Sequence, residues 1–157
     1  MRLLFSFSLF LLLCSGINAQ SNNILIYNPS ADAKQQIQSA IHQADMENKH
    51  VLIQVGGNWC SWCIKLHNFI SGHAQIDSLI KADYVYILVN YSQENRNMET
   101  IAQLGYPQRF GFPVLVILDS KGDRIHTQNT AYLEEGKTYN EKKIREFLLN
   151  WNVKSTG

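Results

Sequence analysis

Gly56-Gly57-Asn58-Trp59-Cys60-Ser61-Trp62-Cys63-Ile64-Lys65-Leu66-His67, GGNWCSWCIKLH, sets two cysteines two residues apart directly after the apolar run VLIQV at 51–55. Beyond Cys60 the apolar spacing turns helical, with Cys63, Leu66 (or His67) and Ile70 on one side until Ser71-Gly72 breaks it. A close cysteine pair at a strand–helix junction can be a redox pair, a static disulfide or half of a metal site. The metal reading has Cys60, Cys63 and His67, with His73 nearby, but no second Cys-x-x-Cys. Covalent haem would need a histidine directly after Cys63, where Ile64 stands. A staple across two residues closes almost no loop and removes little entropy from the unfolded chain. The redox reading is therefore the leading one.

The junction also supplies the chemistry. In a helix starting at about Cys60, the first amides lack intrahelical partners and the dipole favours negative charge. A thiolate there is stabilised, so its pKa falls below the free-cysteine value of about 8.5. We expect Cys60 to be an exposed, partly ionised nucleophile, and Cys63, one turn further in, to be a buried resolving thiol. Attack by Cys60 on a disulfide gives a mixed disulfide, which Cys63 then resolves. His67, one turn after Cys63, either relays a proton or is a packed or solvated helix histidine. Trp59 and Trp62 are expected to border an apolar docking surface. Packing into the core is the competing reading, with more weight for Trp59 than for Trp62.

Around this centre the chain reads β-α-β-α-β-α-β-β-α. Residues 23–27 are expected to form a short strand ended by Asn28-Pro29, with Ser30 capping a helix that runs to about Asn48. A helix is expected over 75–81, a strand over 84–89, a loop over 92–97, and a helix from Met98 stopped by Gly105 and Pro107. Tyr84, Tyr86 and Tyr91 are read as strand residues. The run VLVIL at 114–118 is a buried strand, and Asp119 to Asp123 turns it into a partner near 124–127. Thr138-Tyr139-Asn140-Glu141 has capping-box spacing before a helix whose Ile144, Phe147, Leu148 and Trp151 share a face. Helical crossovers imply parallel strands and the tight turn an antiparallel pair, hence a mixed central sheet.

The N-terminus opens with Arg2 and an apolar run from Leu3 to Leu13, interrupted only by Ser6 and Ser8. That suits a signal-peptide core and is well short of the roughly 20 apolar residues of a membrane span. Residues 1–19 are expected to be removed, leaving one domain over 20–157; lipidation at Cys14 is the minor alternative. Export then leaves two cysteines outside the reducing cytosol, where domains stabilised by disulfides usually carry several. With 14 basic and 13 acidic residues and a net charge of +1, nothing suggests nucleic acid or an anionic membrane surface as a partner.

Trp59-Cys60-Ser61-Trp62-Cys63, Gly111-Phe112-Pro113 before a buried strand, and the turn at 119–122 together resemble the thioredoxin superfamily. The resemblance runs from about 30 to 151 and is nearest to exported thioredoxin-like domains, such as the periplasmic C-terminal domain of thiol:disulfide interchange proteins. It implies an α/β thioredoxin-like fold, a mixed central β-sheet flanked by helices on both faces. It further implies catalysis by Cys60 and Cys63 as a redox-active disulfide, and a substrate groove shaped by Trp59, Ser61, Trp62, Phe112 and Pro113. The Phe112–Pro113 peptide should be cis, with its backbone pairing to an extended substrate.

No cofactor or metal is implied, because the electrons travel through sulfur. The partners would be disulfide-bearing exported proteins and a membrane electron donor, with the chain itself a monomer. There are two departures. Gln54 stands where many thioredoxins carry a buried acid, and Ser61-Trp62 is an unfamiliar dipeptide between the cysteines. A redox-inactive client-binding module on the same fold is the alternative; a peroxide reductase is a remoter one.

Overall fold

A computed structural model describes residues 25–156. The expected leader at 1–19, Cys14, and the start of the expected first strand lie outside the described residues. Chain order begins with α1 (Ala33–Glu47), β1 (His50–Gly56), α2 (Ser61–Gly72), α3 (Ala74–Asp83) and β2 (Tyr84–Asn90). It continues with α4 (Met98–Gln103), β3 (Val114–Leu118), β4 (Arg124–Asn129), a small hairpin of β5 (Glu134–Glu135) and β6 (Thr138–Tyr139), α5 (Glu141–Asn150) and α6 (Val153–Thr156). Short 3-10 turns cover Pro107–Phe110 and Thr130–Leu133.

The four main strands lie in the order β2-β1-β3-β4. Every residue of β1 is buried, as befits a central strand. Alternation divides its side chains between two cores. Val51, Ile53 and Val55, with Val114, Val116 and Leu118 of β3, pack on Ile37, Ala40 and Ala44 of α1 and Ile101 of α4. Leu52, Leu115 and Ile117 face the opposite way, onto Leu66 and Ile70 of α2, Ile80 of α3 and Ile144 and Leu148 of α5. Each of the Val, Leu and Ile side chains contributes about 1.5–3 kcal/mol by leaving water. This is the mixed sheet with helices on both faces that the sequence implied.

The strand directions refine that expectation. The connection through α2 and α3 is a true crossover and leaves β2 parallel to β1. The connection through α4 starts at the end of β2 beside Gly56 and delivers β3 to the same end of β1, with Val114 opposite Val55. No crossover of the sheet occurs, so β3 is antiparallel to β1 despite the helix between β2 and β3. That return places Pro113 beside the end of β1, where the cysteine pair begins.

Four local expectations change, the smallest being that Tyr91 lies just past the end of β2 and not in a strand. Leu25 to Tyr27 form no strand. The Asn58 side chain instead accepts the Tyr27 N–H (3.0 Å) and donates to its carbonyl (2.8 Å), doing what a neighbouring strand would do. The α1 cap is Asp32, not Ser30, because its carboxylate accepts the amides of Lys34 and Gln35. Asn140 caps α5 through the Lys143 amide, while Thr138 belongs to β6.

Candidate active site

Cys60 is the residue that caps α2. Its extended backbone (φ −99°, ψ 104°) lets the Sγ turn back and accept the Cys63 amide at 3.1 Å. Any charge on that sulfur therefore meets a hydrogen-bond donor as well as the positive end of the helix. The two sulfurs are joined (S–S 2.18 Å) with their Cα atoms 5.2 Å apart. Cys60 is 7% exposed and Cys63 fully buried. The order of exposure is as expected, but Cys60 is open only through a narrow window. Phe112, on the cis peptide to Pro113, packs beside the pair and narrows it.

Of the two tryptophans, the one given more weight for packing into the core is the more open. Trp59 stands 59% exposed. Its indole N–H donates to the Tyr91 carbonyl at 2.7 Å, and its ring meets Phe112 edge-on at 5.4 Å. Trp62 is half-buried against Tyr139, with the Lys65 ammonium 4.1 Å from its ring centre. Ser61 is exposed at the first turn of α2. Pro113 is buried, and its carbonyl accepts the Thr130 hydroxyl at 2.5 Å. Beside Trp59 lies an open cavity of about 790 Å³, lined in part by Asn58, Tyr91 and Arg96.

Behind the pair is a polar network that the sequence did not disclose. Gln54 is fully buried and spends both amide hydrogens, one on the Cys63 carbonyl (3.0 Å) and one on the Tyr27 hydroxyl oxygen (2.5 Å). Its Oε1 accepts the Tyr86 hydroxyl at 2.7 Å. The position that often holds an acid is thus neutral and fully hydrogen-bonded. Burial pushes the Tyr27 and Tyr86 phenols well above the ordinary tyrosine range. Tyr27 had looked like one more strand residue; no sequence signal set it apart.

His67 stacks on Tyr86 (centroids 6.3 Å apart), and partial burial lowers its pKa below the usual histidine value. His73 stacks on Phe69 and hydrogen-bonds the Phe69 carbonyl through Nδ1 (2.7 Å). Among the described residues, no three His, Cys, Asp or Glu side chains converge as metal ligands would. Nor is any described helix long and apolar enough to cross a membrane.

Residues 32–120, more than half of the chain, match the family described as Thioredoxin-like. The chain belongs to the thioredoxin-like family. A "Disulfide bond reductase DsbH" of Chlamydia pneumoniae is 26% identical over 116 residues, 68% of this chain and 70% of the relative. A solved disulphide isomerase from Xylella fastidiosa Temecula1 is similar at TM-score 0.71 and 25% identity, covering 80% of this chain and 95% of its own. A DsbH oxidoreductase structure shares the fold at TM-score 0.55 and 20% identity, over 73% of this chain and 82% of its own. With a Cys-x-x-Cys pair at disulfide distance on this thioredoxin-like scaffold, the chain is a thiol–disulfide oxidoreductase.

Proposed function

We propose that this protein is an exported reductase of protein disulfides, with Cys60 as nucleophile and Cys63 as resolving thiol. The observation that carries the reading is the asymmetry of the pair. Cys60 has the window, the helix end and the Cys63 amide, whereas Cys63 lies wholly beneath it. In the reduced protein the Cys60 thiolate attacks a client disulfide, forming a mixed disulfide and releasing one client thiolate. Cys63 then attacks Cys60, closing the 60–63 disulfide and releasing the second. Trp59 and Phe112, in edge-on contact, together with Ser61, Trp62 and Pro113, would hold the client, with room in the cavity beside Trp59 for an extended segment.

The reductive direction is supported by the name of the Chlamydia pneumoniae relative, and export by the leader-like residues 1–19. Disulfide-bearing exported proteins would be the clients and a membrane donor would restore the dithiol. Two experiments test this. Equilibration of residues 20–157 against glutathione should give a potential near about −270 mV; a value near about −120 mV would make the protein an oxidant instead. Cys60→Ser should abolish insulin reduction, while Cys63→Ser should accumulate mixed disulfides with clients. A pair that fails to exchange over hours would leave only a client-binding role.

A further inference from the structure

Gly56 ends β1 in a space that a side chain cannot enter. A Cβ built there would fall 2.5 Å from Cys63 Sγ and 2.8 Å from the Tyr27 hydroxyl oxygen. A buried phenol and the buried sulfur thus crowd the same point from two sides, and Tyr27, Cys60 and Cys63 form one enclosed cluster. The direction of the hydrogen bonds fixes what the phenol can offer. The Cys63 carbonyl only accepts, so the group facing it must be Gln54 Nε2. The same nitrogen donates to Tyr27 Oη, which leaves the Tyr27 proton given to no group among the described residues of the oxidised form. The backbone of Tyr27 is held by Asn58, so the ring is set from both ends.

We propose that Tyr27 donates its phenolic hydrogen to the Cys63 thiolate when the 60–63 bond is open, stabilising the charged sulfur where many thioredoxins instead place a buried acid that moves the thiol proton. This rests on the reading of Cys63 as resolver. Cys63 first loses its thiol proton to water, and Tyr27 lowers the cost of that loss without accepting the proton. The Cys63 sulfur then forms its bond to Cys60 Sγ as the Cys60–client bond breaks. The electron pair leaves on the client sulfur, which is protonated by solvent. The phenol stays protonated because it is buried, and its other ionisable neighbours are few. Cys60 caps α2, Tyr86 lies on β2 and Tyr139 on β6, with His67 beyond Tyr86. No carboxylate hydrogen-bonds any member of this group among the described residues. Resolution should therefore follow a single thiol titration.

Stopped-flow reaction of the reduced protein with an aromatic disulfide that releases a coloured thiolate separates the two steps. The first equivalent reports attack by Cys60 and the second reports resolution by Cys63. Removing a hydrogen bond to a charged sulfur should raise its pKa by about one unit. In Tyr27→Phe, then, the pH midpoint of the second phase should rise by about one unit. The phase itself should slow about threefold at neutral pH, since a more basic thiolate is also a better nucleophile. The first phase should not change. Gln54→Met, which removes the donor that orients the phenol, should slow the second phase selectively as well. An unchanged second phase overturns the assignment, and so does equal slowing of both phases, which would mark a packing defect. Cys63→Ser separates the two levels of the argument: if it still releases the second equivalent, Cys63 is not the resolver and the underlying reading fails first.

Discussion

At the scale of single residues, the pair depends on what is absent as much as on the sulfurs. Gly56 is required because Cys63 and Tyr27 occupy the volume of its missing side chain, and Gly57 because Trp59 Nε1 would lie 2.4 Å from a Cβ there. Gly56→Ala should cost about 1–3 kcal/mol, the usual range for overpacking a filled interior. Urea unfolding of the oxidised protein measures it, and an unchanged midpoint would mean that the sulfur and the phenol yield freely. Gln54 illustrates the complementary rule. A buried amide is tolerated because each of its hydrogens, and its oxygen, has a partner. The sequence showed that an acid was missing at 54; it did not show which groups gathered round the amide, since two of them lie 27 and 32 residues away.

At the scale of elements, α1 to α5 were legible as helices, α6 was not, and the caps of α1 and α5 were misplaced. Ser30 and Asp32 are both good caps in isolation. Asp32 wins because its carboxylate reaches two amides of the first turn, while Ser30 stays exposed in the preceding turn. Asp32→Ala should therefore lower stability by about 1 kcal/mol, while Ser30→Ala should leave the denaturation midpoint near wild type. Equal effects would contradict the assignment of the cap. The same ambiguity misplaced the α5 cap at Thr138, where two short strands form a hairpin too brief for alternation to signal. The strands at 84–90 and 114–118 were plain because continuous apolar runs of that length fit a strand buried on both faces.

At the scale of the whole molecule, burial of phenols makes the fold sensitive to alkali. Desolvation raises Tyr27, Tyr84, Tyr86 and Tyr139 above the ordinary tyrosine value. Below about pH 10 these phenols are protonated in both states, and their stabilising contribution is complete. As the pH climbs past that value the unfolded chain gives up its phenolic protons first, so stability falls on the way to the higher folded values. Parallel circular dichroism and phenolate absorbance should show these four groups ionising only as the fold is lost. Normal titration of all seven tyrosines in a still-folded chain would contradict the burial described here.

Sequence alone determined the layered α/β architecture and the placement of the cysteine pair between β1 and α2, because both follow from local periodicity and from the chemistry of adjacent residues. It also pointed to Phe112–Pro113 as a partner of the pair, through a resemblance carried by a short motif. Tertiary structure alone decided the rest. It made β3 antiparallel by returning the chain to the end of the sheet it had left. It exposed Trp59 rather than Trp62, because the Tyr91 carbonyl holds the Trp59 indole outside while Tyr139 covers Trp62. It held Tyr27, which lies outside the sheet, beside the cysteine pair through two hydrogen bonds shared with one asparagine side chain. Those outcomes turn on contacts between distant residues, and no local pattern encodes which of several compatible partners a side chain will meet.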